Sequence, residues 1–181
     1  MTIFFQTHIG SFVSNAVLVS QIVFPVGLVL LFHKDFRNRV YRFVNLYVLW
    51  LLLFVSSTAV VGSISLSQIA GFVPCELCWI QRIFLFSQPI LLLVAMVRRE
   101  KSIVSYLLPL SILGAIVSIY HSIVQWGYGG SLLGCTSVGG ECAKVYIHQY
   151  GYITIPFMAF TTFAYLILIS ILYYKSRSSK E

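Results

Sequence analysis

The chain has 181 residues, of which 59% are hydrophobic and 9% charged, where a soluble domain carries roughly 25% charged residues. That leaves too little polar surface to coat a water-soluble globule, and a single small membrane domain over residues 1–181 is expected. The net charge of +7 does not point to nucleic acid: the basic residues sit in short clusters between apolar blocks, without the aromatic interleaving that single-strand binding uses.

Five apolar blocks follow one another, each close to the ~20 residues that cross a ~30 Å hydrocarbon core. The first covers about 15–32 and contains Pro25. A cleaved signal peptide is the alternative for it, but no basic segment precedes it, no small-residue cleavage site ends it, and basic residues follow. Those are Lys34, Arg37, Arg39 and Arg42, which lead into the second block, about 46–69. The third block, about 79–97 with Pro89, is followed by Arg98, Arg99 and Lys101. The fourth is about 103–125 with Pro109. The fifth is about 153–174 with Pro156, trailed by Lys175, Arg177 and Lys180. If all five span, these cations share one side, which the positive-inside rule makes cytoplasmic. The expected fold is therefore an all-α, polytopic membrane helical bundle with its N-terminus outside and its C-terminus cytoplasmic. Trp126, Tyr128, Tyr150 and Tyr152 read as interfacial belt residues.

All four cysteines fall in the two outer connections: Cys75 and Cys78 in one, Cys135 and Cys142 in the other. An oxidising face favours pairing, and four cysteines leave three connectivities. A disulfide across the CxxC of Pro74-Cys75-Glu76-Leu77-Cys78 would close a ring too short to be a good staple; such rings are usual in redox sites. Cys78 lies at the start of the third block, where backbone N–H groups and the helix dipole favour a thiolate, and Arg82 follows one turn on. Arg82 is read either as an arginine reaching back to the interface or as a cation that stabilises a thiolate or a reduced cofactor. Cys135 and Cys142 lie in a glycine-rich loop and suit a plain loop staple or one half of a disulfide relay. Zinc held by all four cysteines is disfavoured by the wide second spacing and the oxidising face, so no metal site is expected. His121, near the end of the fourth block, is a functional candidate or a histidine bonded to a neighbouring helix. Gln81 and Glu76 are open in the same way. No nucleotide fingerprint and no HEXXH are present, so flavin, NAD and catalytic zinc are not indicated.

The stretch PCELCWIQR (residues 74–82) resembles the disulfide bond formation protein B family, the quinone-dependent membrane oxidases of periplasmic thiol oxidants. The stretches Ser118-Ile119-Tyr120-His121-Ser122 and Ile153-Thr154-Ile155-Pro156-Phe157 are similar to the family's third and last core helices. The likeness covers roughly 46–174. It implies a four-helix oxidase core with outer loops 70–78 and 126–152, so the block at 15–32 is an extra N-terminal transmembrane helix. The close-set second cysteine pair resembles the disulfide formation protein C branch.

The resemblance further implies redox disulfides Cys75–Cys78 and Cys135–Cys142, with Arg82 and His121 beside a bound quinone, ubiquinone or menaquinone. The implied partner is a soluble, DsbA-like thioredoxin-fold thiol oxidase. The implied place is the bacterial cytoplasmic (inner) membrane, and the implied role is disulfide bond formation in exported proteins. Two other readings stand beside it. A quinone reductase of the vitamin K epoxide reductase type carries its CxxC after the loop cysteines, the reverse of the order here. A non-enzymatic scaffold would use the cysteines only as loop staples.

Overall fold

The computed structural model describes residues 10–11, 13–22, 33–127, 142 and 144–178. Five helices run through them: α1 (Val13–Ile22), α2 (Lys34–Ile64), α3 (Glu76–Arg98), α4 (Val104–Gln125) and α5 (Ile155–Ser178). The only strand-like pairing among the described residues is a bridge between Gln149 and Ile153. The expected all-α bundle is present, and four of the helices are long and apolar enough to cross a membrane. The first expected span is only half described: α1 is short, and residues 23–32, with Pro25, lie outside the described residues.

The second helix departs from the apolar block that announced it. It begins at Lys34, not near residue 46, so Lys34, Arg37, Arg39 and Arg42 are helical and not part of a loop. Hydropathy sees only the buried or lipid-facing part of a helix. Here the buried stripe Val44, Val48, Leu52 and Ser56 begins well inside α2, and the basic turn before it lies beyond the block. At its other end α2 runs into a π-helical turn, Ser65–Ile69. The continuous 36 residues would measure ~54 Å at 1.5 Å per residue, well beyond a ~30 Å hydrocarbon core.

One of the three described helical prolines fits where its missing N–H does least harm. Pro156 sits in the first turn of α5, where no intrahelical partner is needed. Pro89 and Pro109 lie inside α3 and α4, as in many membrane helices.

The core runs down the middle of α2–α5 through Leu52, Leu92, Leu107, Phe163 and Leu166. The buried face of α4 is built of small residues: Ser111, Gly114, Ala115, Ser118 and Ser122. In lipid there is little hydrophobic drive between helices, so close backbone approach over small residues supplies the packing. Gly114 shows it most sharply, because a Cβ there would fall under 3.0 Å from three atoms of the Phe163 ring.

The first helix is fastened to α5 and to the turn before it. Tyr165 donates its hydroxyl to Ser20 Oγ at 2.9 Å, and Gln21 Nε2 donates to Thr161 Oγ1 at 3.2 Å. Tyr152 donates to Gln21 Oε1 at 3.0 Å and Tyr150 to Asn15 Oδ1 at 2.7 Å, so both tyrosines bind a neighbouring helix as well as suiting an interface.

Candidate functional site

After the π-helical turn the chain reverses at Gly71, whose φ of 71° is left-handed and suits a residue without Cβ. Pro74 then leads into Cys75, which caps α3 in an extended conformation, and its carbonyl accepts the Trp79 N–H at 3.1 Å. The positive end of α3 therefore faces Cys75. Cys78, the position favoured from sequence, lies one turn inside. The sequence showed an apolar run from Trp79 onward, whereas the helix starts earlier, at Glu76.

Cys75 and Cys78 are free thiols with their sulfurs 3.4 Å apart, and Cys75 is buried. The hydrogen bond from Cys78 outweighs burial and, with help from His121, holds Cys75 far below the ordinary thiol range, at about 4. The His121 ring is buried between the two cysteine regions. Its Nε2 lies 3.6 Å from Cys75 Sγ and 3.3 Å from the Cys142 carbonyl oxygen. Its Nδ1 lies 3.2 Å from Gln81 Nε2, which donates to it and leaves the ring proton on Nε2, facing sulfur and carbonyl. Cys142 is buried and disulfide-bonded, and it packs in one apolar cluster with Cys75, Leu77 and Val124. Cys135 lies outside the described residues.

Arg82 reaches across to α2. Its Nε donates to Ser63 Oγ and its Nη2 to the Ser63 carbonyl, each at 3.0 Å, with the guanidinium 5.3 Å over the Trp79 ring. Ser63 lies two residues before the π-helical turn, a wide-ladder geometry often found at functional sites.

Cys75, Cys78, Gln81, Arg82 and His121 all line a cavity of about 1040 Å³. The rest of its wall is mostly apolar and comes from α1, α2 and α5. Leu66, Ala70, Phe72, Ile147 and Ile153 form a separate apolar cluster against which Val13 and Val17 of α1 pack. An apolar space with a few convergent polar groups suits a ligand with an apolar body and a polar head. The donor atoms of Cys75, Cys78 and His121 lie within 4.8 Å of one another, close enough for the reduced pair and the imidazole to hold a soft cation.

Of the residues singled out from sequence, Cys75, Cys78, Arg82, His121 and Cys142 come together here. Two partners were not singled out as such. Gln81 fixes the His121 ring and Ser63 fixes Arg82. Gln81 was visible as a polar residue one turn from Cys78; Ser63 carried no signal at all.

One expectation follows for the thiols. In the reduced protein the rate at which a small alkylating reagent modifies Cys75, slow overall because the sulfur is buried, should hold steady down to the region of pH 5, because its thiolate persists above about 4. An ordinary thiol loses reactivity as pH falls below ~8.5. His121→Ala removes one of the groups that favour the thiolate and should raise the midpoint by about one unit or more, read by mass spectrometry of the Cys75 peptide. An unchanged midpoint would mean that His121 does not act on this sulfur.

A family model described as disulfide bond formation protein DsbB matches residues 46–173. Disulfide bond formation protein C of Bacillus subtilis is 39% identical over 129 residues, covering 70% of this chain and 90% of the relative. The SPbeta prophage-derived disulfide bond formation protein B of the same organism is 36% identical over 141 residues, covering 77% and 94%. A probable disulfide formation protein of Coxiella burnetii is 33% identical over 122 residues, covering 67% and 81%. No solved structure matches.

Proposed function

Because this chain belongs to the disulfide bond formation protein DsbB family, we propose that it is a quinone-linked membrane oxidase that recharges a soluble thioredoxin-fold thiol oxidase. It would sit in the bacterial cytoplasmic membrane with its cysteine end outside, serving disulfide formation in exported proteins. The observation that carries this reading is His121, whose Nε2 faces both the buried Cys75 sulfur and the Cys142 carbonyl, beside a large cavity that Cys75, Cys78 and His121 line.

The chain's residues divide the work as follows. A thiolate of the reduced partner attacks Cys135 in a Cys135–Cys142 disulfide, and Cys142 leaves. The Cys142 thiolate attacks Cys75 in an oxidised Cys75–Cys78 pair; a Cys142–Cys75 bond forms and Cys78 leaves as a thiolate. The partner's second thiol then resolves its bond to Cys135 and departs as a disulfide. Cys135 in turn attacks Cys142, restoring the loop disulfide and leaving Cys75 and Cys78 reduced.

His121 orients the exchange. Its Nε2 faces both Cys75 and the Cys142 carbonyl, so it holds the loop against the sulfur to be attacked and favours that sulfur as thiolate when it leaves. The cavity fits a quinone: Arg82 and Gln81 offer N–H donors to ring oxygens beside Cys78, and aliphatic walls suit the rest. A quinone bound there supplies a two-electron, two-proton acceptor for the dithiol.

The test is anaerobic. Purified protein in detergent is mixed with a reduced thioredoxin-fold oxidase and a quinone, and quinone absorbance is followed. One quinone should be consumed per partner disulfide formed. No quinone consumption, with the cysteines inert toward the partner, would reduce the protein to a stapled membrane scaffold.

A further inference from the structure

We propose that α1 closes the cavity into a channel for the isoprenoid tail of the quinone, a subsite that the family's four-helix core would leave open to lipid. This rests on the quinone reading above and assigns a task to the extra helix. Val13, Ala16, Val17 and Ser20 all line the cavity, at the i, i+3, i+4, i+7 spacing of one helix face. The other face of α1 carries Val19 and Ile22, 58% and 59% exposed. The helix therefore has one side turned to the cavity and one turned outward. Its hydrogen bonds to Tyr165 and Thr161 of α5 hold it in place as a wall.

The space is too large for a head group alone. About 1040 Å³ lies at the top of the ~300–1,000 Å³ that accommodates a whole drug-sized ligand. Its wall is mostly aliphatic and aromatic, and its strongest polar side chains are Cys78, Gln81, Arg82, His121, Gln125 and Lys144. The hydroxyls elsewhere on the wall are turned to their own helices: Ser20 donates to the Val17 carbonyl, Thr58 to Phe54, Thr161 to Phe157 and Thr162 to Met158, at 2.7–3.1 Å. Few donors are left to hold water, so the channel suits a branched hydrocarbon running on from a ring held beside Cys78. On the α2 wall Gly62 leaves the passage wide, since a Cβ there would meet no heavy atom within 4 Å.

The test is binding, not turnover. A polyprenyl quinone and its tail-less analogue are titrated into the purified protein, with quenching of tryptophan fluorescence as the readout. Bound quinone is counted by mass spectrometry after detergent exchange. Ala16→Phe and Gly62→Leu narrow the channel from opposite walls, and Val19→Phe adds the same bulk to the outward face. Wild type should prefer the tailed quinone. The two channel variants should weaken it by about tenfold or more, equivalent to a few buried methylenes, and leave the tail-less analogue unchanged. Val19→Phe should match wild type. Equal affinity of wild type for both quinones, or channel variants that bind the tailed quinone normally, would overturn the inference. So would equal weakening of both quinones by the channel variants, and so would retention of a phospholipid in place of the tail. If wild type binds neither quinone, the quinone reading itself falls and takes the channel with it.

Discussion

Replacing Cys142 with alanine is expected to abolish partner oxidation, and replacing Cys75 with alanine is expected to permit only a single equivalent of it. In both variants, steady quinone reduction should fall by on the order of 10³-fold or more, as when a nucleophile is removed from a group of residues that act as a unit. The difference between them follows from where each sulfur stands. Without Cys142 the loop holds no disulfide for the partner to attack. Without Cys75 the loop disulfide can still be spent once, but its electrons have no inner disulfide to reach. Cys142 and Cys75 share one buried cluster and the same histidine edge, and once Cys75 is gone the remaining Cys78 is a lone thiol with no disulfide to exchange. Rapid mixing with reduced partner, followed by acid trapping and thiol counting, separates the two variants. Continued quinone reduction by either would break the relay.

The second large effect is structural. Gly114→Leu should prevent accumulation of folded protein, and Gly114→Ala should cost about 1–3 kcal/mol, the range for overpacking a tight core. Phe163 is fully buried and a Cβ at residue 114 would overlap its ring, so α4 and α5 must separate or the ring must leave its site. Phe163→Leu in the Gly114→Ala background should recover part of the loss, because neighbours in direct contact are not additive. Thermal aggregation of the detergent-solubilised protein measures both. Unaltered stability of Gly114→Ala would mean that the two helices approach less closely than described.

Four of the five expected spans, and the placement of the CxxC at the mouth of one of them, were legible in the sequence for simple reasons. Long apolar runs mark lipid-facing helices whatever their neighbours, and a CxxC at the mouth of one has few structural uses. The start of α2 was not legible, because Lys34–Arg42 looks like a loop to any hydropathy reading. The choice between Cys75 and Cys78 turned on a few residues. An apolar run beginning at Trp79 suggested that Cys78 lay at the helix mouth, whereas the helix starts at Glu76 and Cys75 is the cap. The tie between Gln81 and His121 joins two helices and leaves no local pattern. His121 itself was visible as a polar residue in an apolar helix, but its contact with Cys75 needed the fold. The role of α1 as a cavity wall was equally hidden, since the spacing of Val13, Ala16, Val17 and Ser20 has meaning only once the opposite wall is known.

The burial of Cys75 behind Leu77, Val124 and Cys142 carries one more consequence. A reactive thiolate in open solution would trade electrons with every small thiol and oxidant that drifted past. This one is buried, with the loop residue Cys142 packed in the same cluster. On the proposed relay, selectivity for a protein partner would be set at the loop, while Cys75 stays out of that partner's direct reach. Small soluble thiols should be poor electron donors to the inner pair even where their reducing power is ample, because they lack access and not driving force.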